Sequence, residues 1–87
     1  MMVRDQAQAL RRAAIELDLM TRQLESPHPE EQTRAIWDIA GSLPDYPGLQ
    51  SILDHLASWQ EIYERGDPGS GWMLQACAAQ LRRDAGE

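Results

Sequence analysis

The residues of this chain that are best suited to chemistry are one cysteine, two histidines and several closely spaced carboxylates. Nucleophilic catalysis needs a nucleophile, a base and an orienting group within hydrogen-bonding reach of one another. Cys77 is the only thiol and falls on a predicted buried stripe, and no pattern brings His28 or His55 to it. The sequence therefore predicts no catalytic residue, and we expect a protein that is not an enzyme.

Acidic side chains recur at helical spacing in the second half of the chain. Glu61 and Glu64 are three residues apart, and Asp54 lies two turns before Glu61. Such carboxylates are typical of the solvated face of an acidic helix. The H-x-x-x-H, C-x-x-C and D-x-D-x-D-G spacings of metal sites do not occur in the chain. We therefore expect no structural metal and no cofactor.

A glycine-rich segment follows these carboxylates. Gly66, Gly69 and Gly71 stand close together, as glycines do in loops that hold phosphate groups. A P-loop also needs a lysine that reaches the phosphates, and this chain contains no lysine. We interpret the segment as a linker between two helices.

Helices must position all of these residues, because apolar side chains recur along the chain at intervals of three and four. Clusters of proline and glycine separate the periodic stretches. At 87 residues the chain has the length of one domain, residues 1–87. The pattern predicts an all-α fold, a small antiparallel bundle of four helices at about 3–25, 29–43, 48–65 and 71–84. The alternative is a three-helix core with a loosely docked last helix.

The third predicted helix has an unusually broad apolar face. At 100° per residue, this face is wider than the roughly 100° stripe of an ordinary surface helix. We therefore expect this helix to contact more than one neighbour and to lie at the centre of the bundle. The face comprises Leu49, Ile52, Leu53, Leu56, Ala57, Trp59 and Tyr63.

The first predicted helix carries a regular apolar seam. Its spacing of four and three favours a neighbouring helix that crosses at a shallow angle. That neighbour is either another helix of the bundle or a second copy of the chain. The seam comprises Val3, Ala7, Leu10, Ala14, Leu17, Thr21 and Leu24.

Three large apolar residues do not belong to the predicted buried faces. Ile15 and Leu19 project about 140° and 180° from Leu10 and are one turn apart. They are either scattered surface residues or a second contact surface. Trp72 lies about 160° from Leu74. It either folds back over the preceding linker or is exposed, as an aromatic residue at a binding hot spot. The polar residues around Ile15 and Leu19 are Gln8, Arg11, Arg12 and Arg22.

The net charge of −6 is unevenly distributed. Residues 1–25 are neutral, whereas residues 26–66 carry seven acidic residues against two arginines. Binding to nucleic acids relies on basic groups that neutralise phosphates, and anionic membranes attract the same groups. We therefore expect no direct nucleic-acid partner and no membrane partner. The acidic region favours a protein partner with a basic surface.

The composition also bears on the compartment. A single cysteine excludes an internal disulfide. No stretch approaches the roughly 20 apolar residues of a membrane span. The N-terminal residues lack the apolar core of a secretory signal. We therefore expect a cytoplasmic protein.

Taken together, these features favour a non-enzymatic protein-binding module. It would be a small acidic inhibitor or adaptor that sterically occupies a partner, for example a regulatory or anti-defence antagonist in a phage or bacterium. Apolar side chains would anchor the partner and acidic side chains would steer it. The expected partner-binding residues are Ile15, Leu19, Trp72, Asp54, Glu61 and Glu64.

Two other functions fit the same sequence. The first is a homo-oligomeric structural or chaperone-like protein that assembles through the seam of residues 3–24. The second is a small-molecule sensor whose aromatic pocket is lined by Trp37, Trp59 and Tyr63.

Overall fold

Four α-helices form the structure, a computed structural model that describes residues 4–22 and 29–86. The predicted all-α bundle is confirmed. Each predicted helix end lies within two residues of the observed one, except at the end of the first helix. That helix stops four residues earlier than predicted, and residues 23–25 of its predicted span lie outside the described residues. The helices are α1 (Arg4–Thr21), α2 (Pro29–Gly41), α3 (Leu49–Glu64) and α4 (Ser70–Asp84).

Proline, glycine and charged residues mark the helix ends. Pro29 opens α2, where its missing N–H would have no intrahelical partner. Glu30 and Glu31 in the first turn interact favourably with the positive end of the helix dipole. Gly66 follows α3 with a φ of 75°, a left-handed conformation that glycine adopts without a steric penalty. Its N–H donates to the carbonyl oxygen of Tyr63 at 3.0 Å, which ends the helix.

The helices form a ring in which each one packs against two neighbours. The contact between α1 and α4 is the most extensive, followed by that between α3 and α4, and α2 closes the ring between α1 and α3. Thr21 at the end of α1 and Ser70 at the start of α4 line one cleft. At the other end, Arg11 donates to the carbonyl oxygen of Ala85 at 3.4 Å. α1 and α4 are therefore antiparallel, and α1 and α3 occupy opposite corners of the ring.

The core is a single cluster to which all four helices contribute. The core is almost entirely apolar, because Ser70 is the only buried polar residue among those described. The largest fully buried side chains are Leu10, Leu17, Ile36, Ile52, Leu56, Trp59, Leu74 and Leu81.

The apolar seam of the first helix packs inside the chain. Ala7, Leu10, Ala14 and Leu17 are buried, and α4 is the helix that α1 contacts most. Val3 and Leu24, the two ends of the predicted seam, lie outside the described residues. Because its middle is covered within one chain, the seam is not open to a second copy while the bundle is closed.

The prediction that α3 lies at the centre of the bundle is wrong. α3 does contact two neighbours, as expected, but the most extensive contact joins α1 and α4. Ala57 of the predicted face is exposed, and Leu53 is only half-buried. A broad apolar face does not ensure close packing, whereas small side chains such as Ala14 and Ala78 allow two helix axes to approach. The same contact overturns the alternative of a loosely docked last helix.

A hydrogen-bonded cluster fastens the loop before α3 to the end of α4. The hydroxyl of Tyr46 donates to Asp84 Oδ2 at 2.9 Å, and Gln80 Nε2 donates to Asp84 Oδ1 at 2.7 Å. Burial and the bond to Asp84 raise the pKa of Tyr46 well above its usual value. A Cβ at Gly48 would stand 2.8 Å from Asp84 Oδ2 and 2.7 Å from Tyr46 Cε2. A side chain at position 48 would therefore displace the Tyr46 ring or the Asp84 carboxylate.

Two leucines one half-turn apart on α1 test the assignment of its buried face. We expect Leu17→Ala to lower the free energy of unfolding by about 2–5 kcal/mol, because it leaves a cavity among fully buried side chains. Leu19→Ala should change it by less than about 0.5 kcal/mol, because Leu19 is exposed. Urea unfolding followed by tryptophan fluorescence measures both. Equal losses for the two variants would contradict this orientation of α1.

Two glycines provide a matched test of the junction at the end of α4. We expect Gly48→Ala to destabilise the fold by about 1–3 kcal/mol, because the new methyl group overlaps Tyr46 and Asp84. Gly41→Ala is the control, since a Cβ there meets nothing within 4 Å. It should stabilise the fold by about 0.4–1 kcal/mol, because replacing glycine with alanine lowers the conformational entropy of the unfolded chain. Thermal melts followed by circular dichroism would contradict the close approach if Gly48→Ala melted with or above the wild type.

Candidate protein-binding surface

The groups suited to nucleophilic chemistry are not assembled in the described structure. Cys77 is buried on α4, and burial raises the pKa of its thiol to about 11. His55 is exposed on α3, where its Nδ1 bonds the carbonyl oxygen of Ser51 at 2.6 Å. His28 lies outside the described residues. Within residues 4–22 and 29–86 no hydrogen bond joins His55 to Cys77, so this pair does not form a nucleophile and its base.

Two of the three carboxylates of α3 accept hydrogen bonds from glutamines on their own helix. Asp54 accepts from Gln50 Nε2 and Glu64 accepts from Gln60 Nε2, both at 2.9 Å. In the part of the chain that the structure describes, no group of three His, Cys, Asp or Glu side chains is placed to hold a metal ion. Nor does any helix there combine the length and the apolar character that a bilayer span requires.

The three aromatic residues proposed as a ligand pocket are engaged with their own neighbours. Trp59 is fully buried and stacks on Tyr63, with ring centroids 5.0 Å apart. Trp37 Nε1 donates to Gln60 Oε1 at 2.7 Å. A cleft of about 350 Å³ opens beside Tyr63 and is lined by Thr21, the segment from Gly66 to Pro68, Ser70 and Gly71. Since neither tryptophan lines that cleft, the structure does not join the three rings around it.

The three predicted apolar anchors are exposed. Trp72 has 72% of its surface accessible, Ile15 has 56% and Leu19 has 51%. They are the only large hydrophobic side chains exposed among the described residues. Trp72 therefore does not fold back over the linker. Of the two orientations that the sequence allowed, the structure shows the exposed one. Exposed side chains of this size cost solvation free energy unless a partner covers them.

An ion pair between α1 and α4 locates these anchors relative to one another. Asp18 of α1 binds Arg82 of α4 at the edge of the core. Viewed along the α1 axis, Ile15 is rotated by about 60° and Leu19 by about 100° from Asp18, in the direction away from the core. Around α4, Trp72 lies about 80° beyond Arg82 on the solvent side. All three anchors therefore lie on the outer side of the α1–α4 pair.

The level of the anchors along the bundle follows from the antiparallel packing. Thr21 and Ser70 line the same cleft, so the end of α1 stands beside the start of α4. Leu19 is two residues before Thr21, and Trp72 is two residues after Ser70. Both positions are about 3 Å of helix rise from that cleft. Leu19 and Trp72 therefore stand at the same end of the molecule.

The three predicted acidic residues lie elsewhere. Asp54, Glu61 and Glu64 are exposed on α3, which does not contact α1. Side chains that point outward from opposite corners of a ring face opposite directions. One flat partner surface therefore cannot cover the acidic residues of α3 together with Ile15 and Leu19.

A basic surface surrounds the anchors on α1, and sequence reasoning did not assign it a role. Six exposed residues of α1 fall within a sector of about 100° around the helix, and a seventh, Arg22, stands in the turn directly after it. Four are arginines and none is acidic. We call this sector the α1 outer stripe; it comprises Arg4, Gln8, Arg11, Arg12, Ile15, Leu19 and Arg22. The sum over residues 1–25 is neutral because it also counts four acidic residues, of which Asp5, Glu16 and Asp18 lie outside the sector and Glu25 lies outside the described residues.

Comparison with known proteins adds no assignment to this surface. No protein-family model, curated protein or solved structure matches the chain. The role of the exposed residues is therefore inferred from their placement, accessibility and charge.

The burial of Cys77 has a chemical consequence that can be measured. A rise in its pKa to about 11 leaves about a hundredfold less thiolate near neutral pH than an ordinary thiol has. We expect a coloured disulfide-exchange reagent to modify the folded protein at least about a hundredfold more slowly than the protein unfolded in urea. Equal rates in the two states would contradict a buried, protonated thiol.

Proposed function

We propose that this protein is a non-enzymatic protein-binding module that occupies the surface of a partner through the outer side of α1 and α4. The observation that carries the proposal is the exposure of Trp72, with Ile15 and Leu19 on the same side of the molecule. Tryptophan is strongly enriched among the residues that dominate binding energies. A partner that covers these side chains recovers the free energy lost by exposing them to water.

The proposed surface stands on a rigid support. Ile15 and Leu19 lie on a helix whose opposite face is buried in the core. Trp72 stands two residues before the fully buried Leu74. The Asp18–Arg82 pair, in which both side chains are partly exposed, links the two helices. Because the backbone is already ordered, binding sacrifices little conformational entropy beyond that of the anchor side chains.

The acidic side of α3 provides a second surface. Asp54, Glu61 and Glu64 attract a protein with a basic surface over a distance of about a Debye length. We propose that they steer such a protein to the corner opposite the α1 outer stripe. An adaptor would use both surfaces at once, whereas an inhibitor would need only one. The free thiol of Cys77 fits the reducing cytoplasm, the compartment that we propose.

Capture of a partner from host lysate tests the proposal. We expect the tagged protein to retain a stoichiometric partner that Trp72→Ala and Leu19→Asp each lose, because these changes remove an anchor from the contact. Ala57→Asp is the matched control, since it also adds one negative charge at an exposed helical position but lies on α3. Mass spectrometry of the captured material identifies and quantifies the partner.

Two results would contradict the proposed function. The first is a partner retained equally by all four proteins, which would place the contact away from α1 and α4. The second is recovery of the bait alone with a native mass above one chain. That outcome would favour the homo-oligomeric scaffold, which must then assemble through a surface other than the buried seam.

A further inference from the structure

We infer that the α1 outer stripe, together with Trp72, receives an acidic amphipathic helix of the partner. This inference rests on the proposed function and adds the chemistry of the segment that binds. It differs from the expectation that the anchors and the acidic residues serve one basic partner. The structure separates those two sets and places arginines beside Ile15 and Leu19 instead.

The charge of the stripe favours carboxylates. Its charged residues are all arginines, although the exposed Glu16 lines the same surface depression as Arg11, Arg12 and Ile15. Arg12 and Arg22 make no ion pair within residues 4–22 and 29–86. A guanidinium that loses water at an interface needs acceptor oxygens, and a carboxylate provides two of them in matching geometry. An exposed arginine that makes no ion pair among the described residues is thus available to bind an aspartate or glutamate of another molecule.

The spacing of the stripe favours a helix. Ile15 and Leu19 are one turn apart, so they offer adjacent apolar contacts. Arg11 and Arg12 stand about one turn before Ile15, and Arg22 stands three residues after Leu19. An amphipathic helix lying on this surface would place its apolar residues, at intervals of three and four, on Ile15, Leu19 and Trp72. Carboxylates on its flanks would then reach the arginines on either side.

Other polyanions and a second copy fit the surface less well. A nucleic acid or an anionic membrane presents many phosphates, whereas this protein carries a net charge of −6 and has two large aliphatic side chains within its basic stripe. The acidic side of a second copy has carboxylates on α3 but no exposed large apolar residue among those described. An acidic amphipathic helix supplies both kinds of contact.

Selection from a random library of displayed peptides, each about 16 residues or four helical turns long, provides the first test. The bait is the folded full-length protein. We expect the enriched peptides to carry aspartate or glutamate beside apolar residues at intervals of three and four. Enrichment of basic peptides, or of peptides without this spacing, would overturn the inference.

Affinity measurements on the best peptide connect selection to the stripe. In fluorescence anisotropy, Leu19→Asp and Trp72→Ala should each weaken binding about 30-fold. Arg12→Glu combined with Arg22→Glu should weaken it about tenfold and flatten its dependence on salt. A peptide with lysine in place of its acidic residues should prefer this charge-reversed variant. Ala57→Asp, on the far side of the molecule, should leave the affinity within about twofold.

The same variants separate failure of this inference from failure of the proposed function. Suppose that the natural partner is lost with Leu19→Asp and Trp72→Ala but is retained by the variant with both arginines reversed. That result would support the proposed binding module and would contradict the inference that an acidic helix occupies the stripe. Binding to vesicles of phosphatidylcholine and phosphatidylserine that depends on the same arginines would assign the stripe to a lipid surface instead. Self-association that Leu19→Asp abolishes would assign it to a second copy, and either result would overturn the acidic helix.

Discussion

The close contact between α1 and α4 determines the rest of this molecule. The buried faces of the two helices carry small residues, Ala7 and Ala14 on α1 and Ala78 on α4, and small side chains allow helix axes to approach. Fully buried leucines of both helices then fill the space toward α2 and α3. The seam residues Ala7, Leu10, Ala14 and Leu17 are all buried in this packing. The other side of α1 is left to water, and the orientation of every exposed side chain on that helix follows from this packing.

The helices and their buried stripes were predictable because they follow from local periodicity. Leu10 and Leu17 recur with the helical repeat, and the proline and glycine clusters mark where the repeat must stop. The identity of the closest pair was not predictable in this way. A helical projection counts apolar side chains, but the distance between two helices depends on how small the facing residues are. The broad face of α3 was therefore misleading, and the alanines on the buried faces of α1 and α4 were the relevant signal.

The candidate surface was predictable only in part. The exposure of Ile15 and Leu19 follows from their angle to Leu10, whereas Trp72 stands in the first turn of its helix, where local pattern permits two orientations. The arginines beside the anchors were visible in the sequence, but a sum over a segment mixes opposite sides of one helix. The bond between Tyr46 and Asp84 joins residues that are 38 positions apart, so it has no local signature.

α3 carries three acidic residues and no basic one, whereas α1 balances three arginines against three acidic residues, and this unequal charge on two diagonal helices gives the molecule an electric dipole across its bundle axis. The exposed arginines of α1 stand at the positive side, and Asp54, Glu61 and Glu64 of α3 stand at the negative side. In the field of a charged surface, the protein therefore experiences a torque about its long axis before any atoms touch. Its rotational orientation is biased during approach, and salt that screens this field weakens the bias. A protein with a net charge of −6 can in this way present its positive side first.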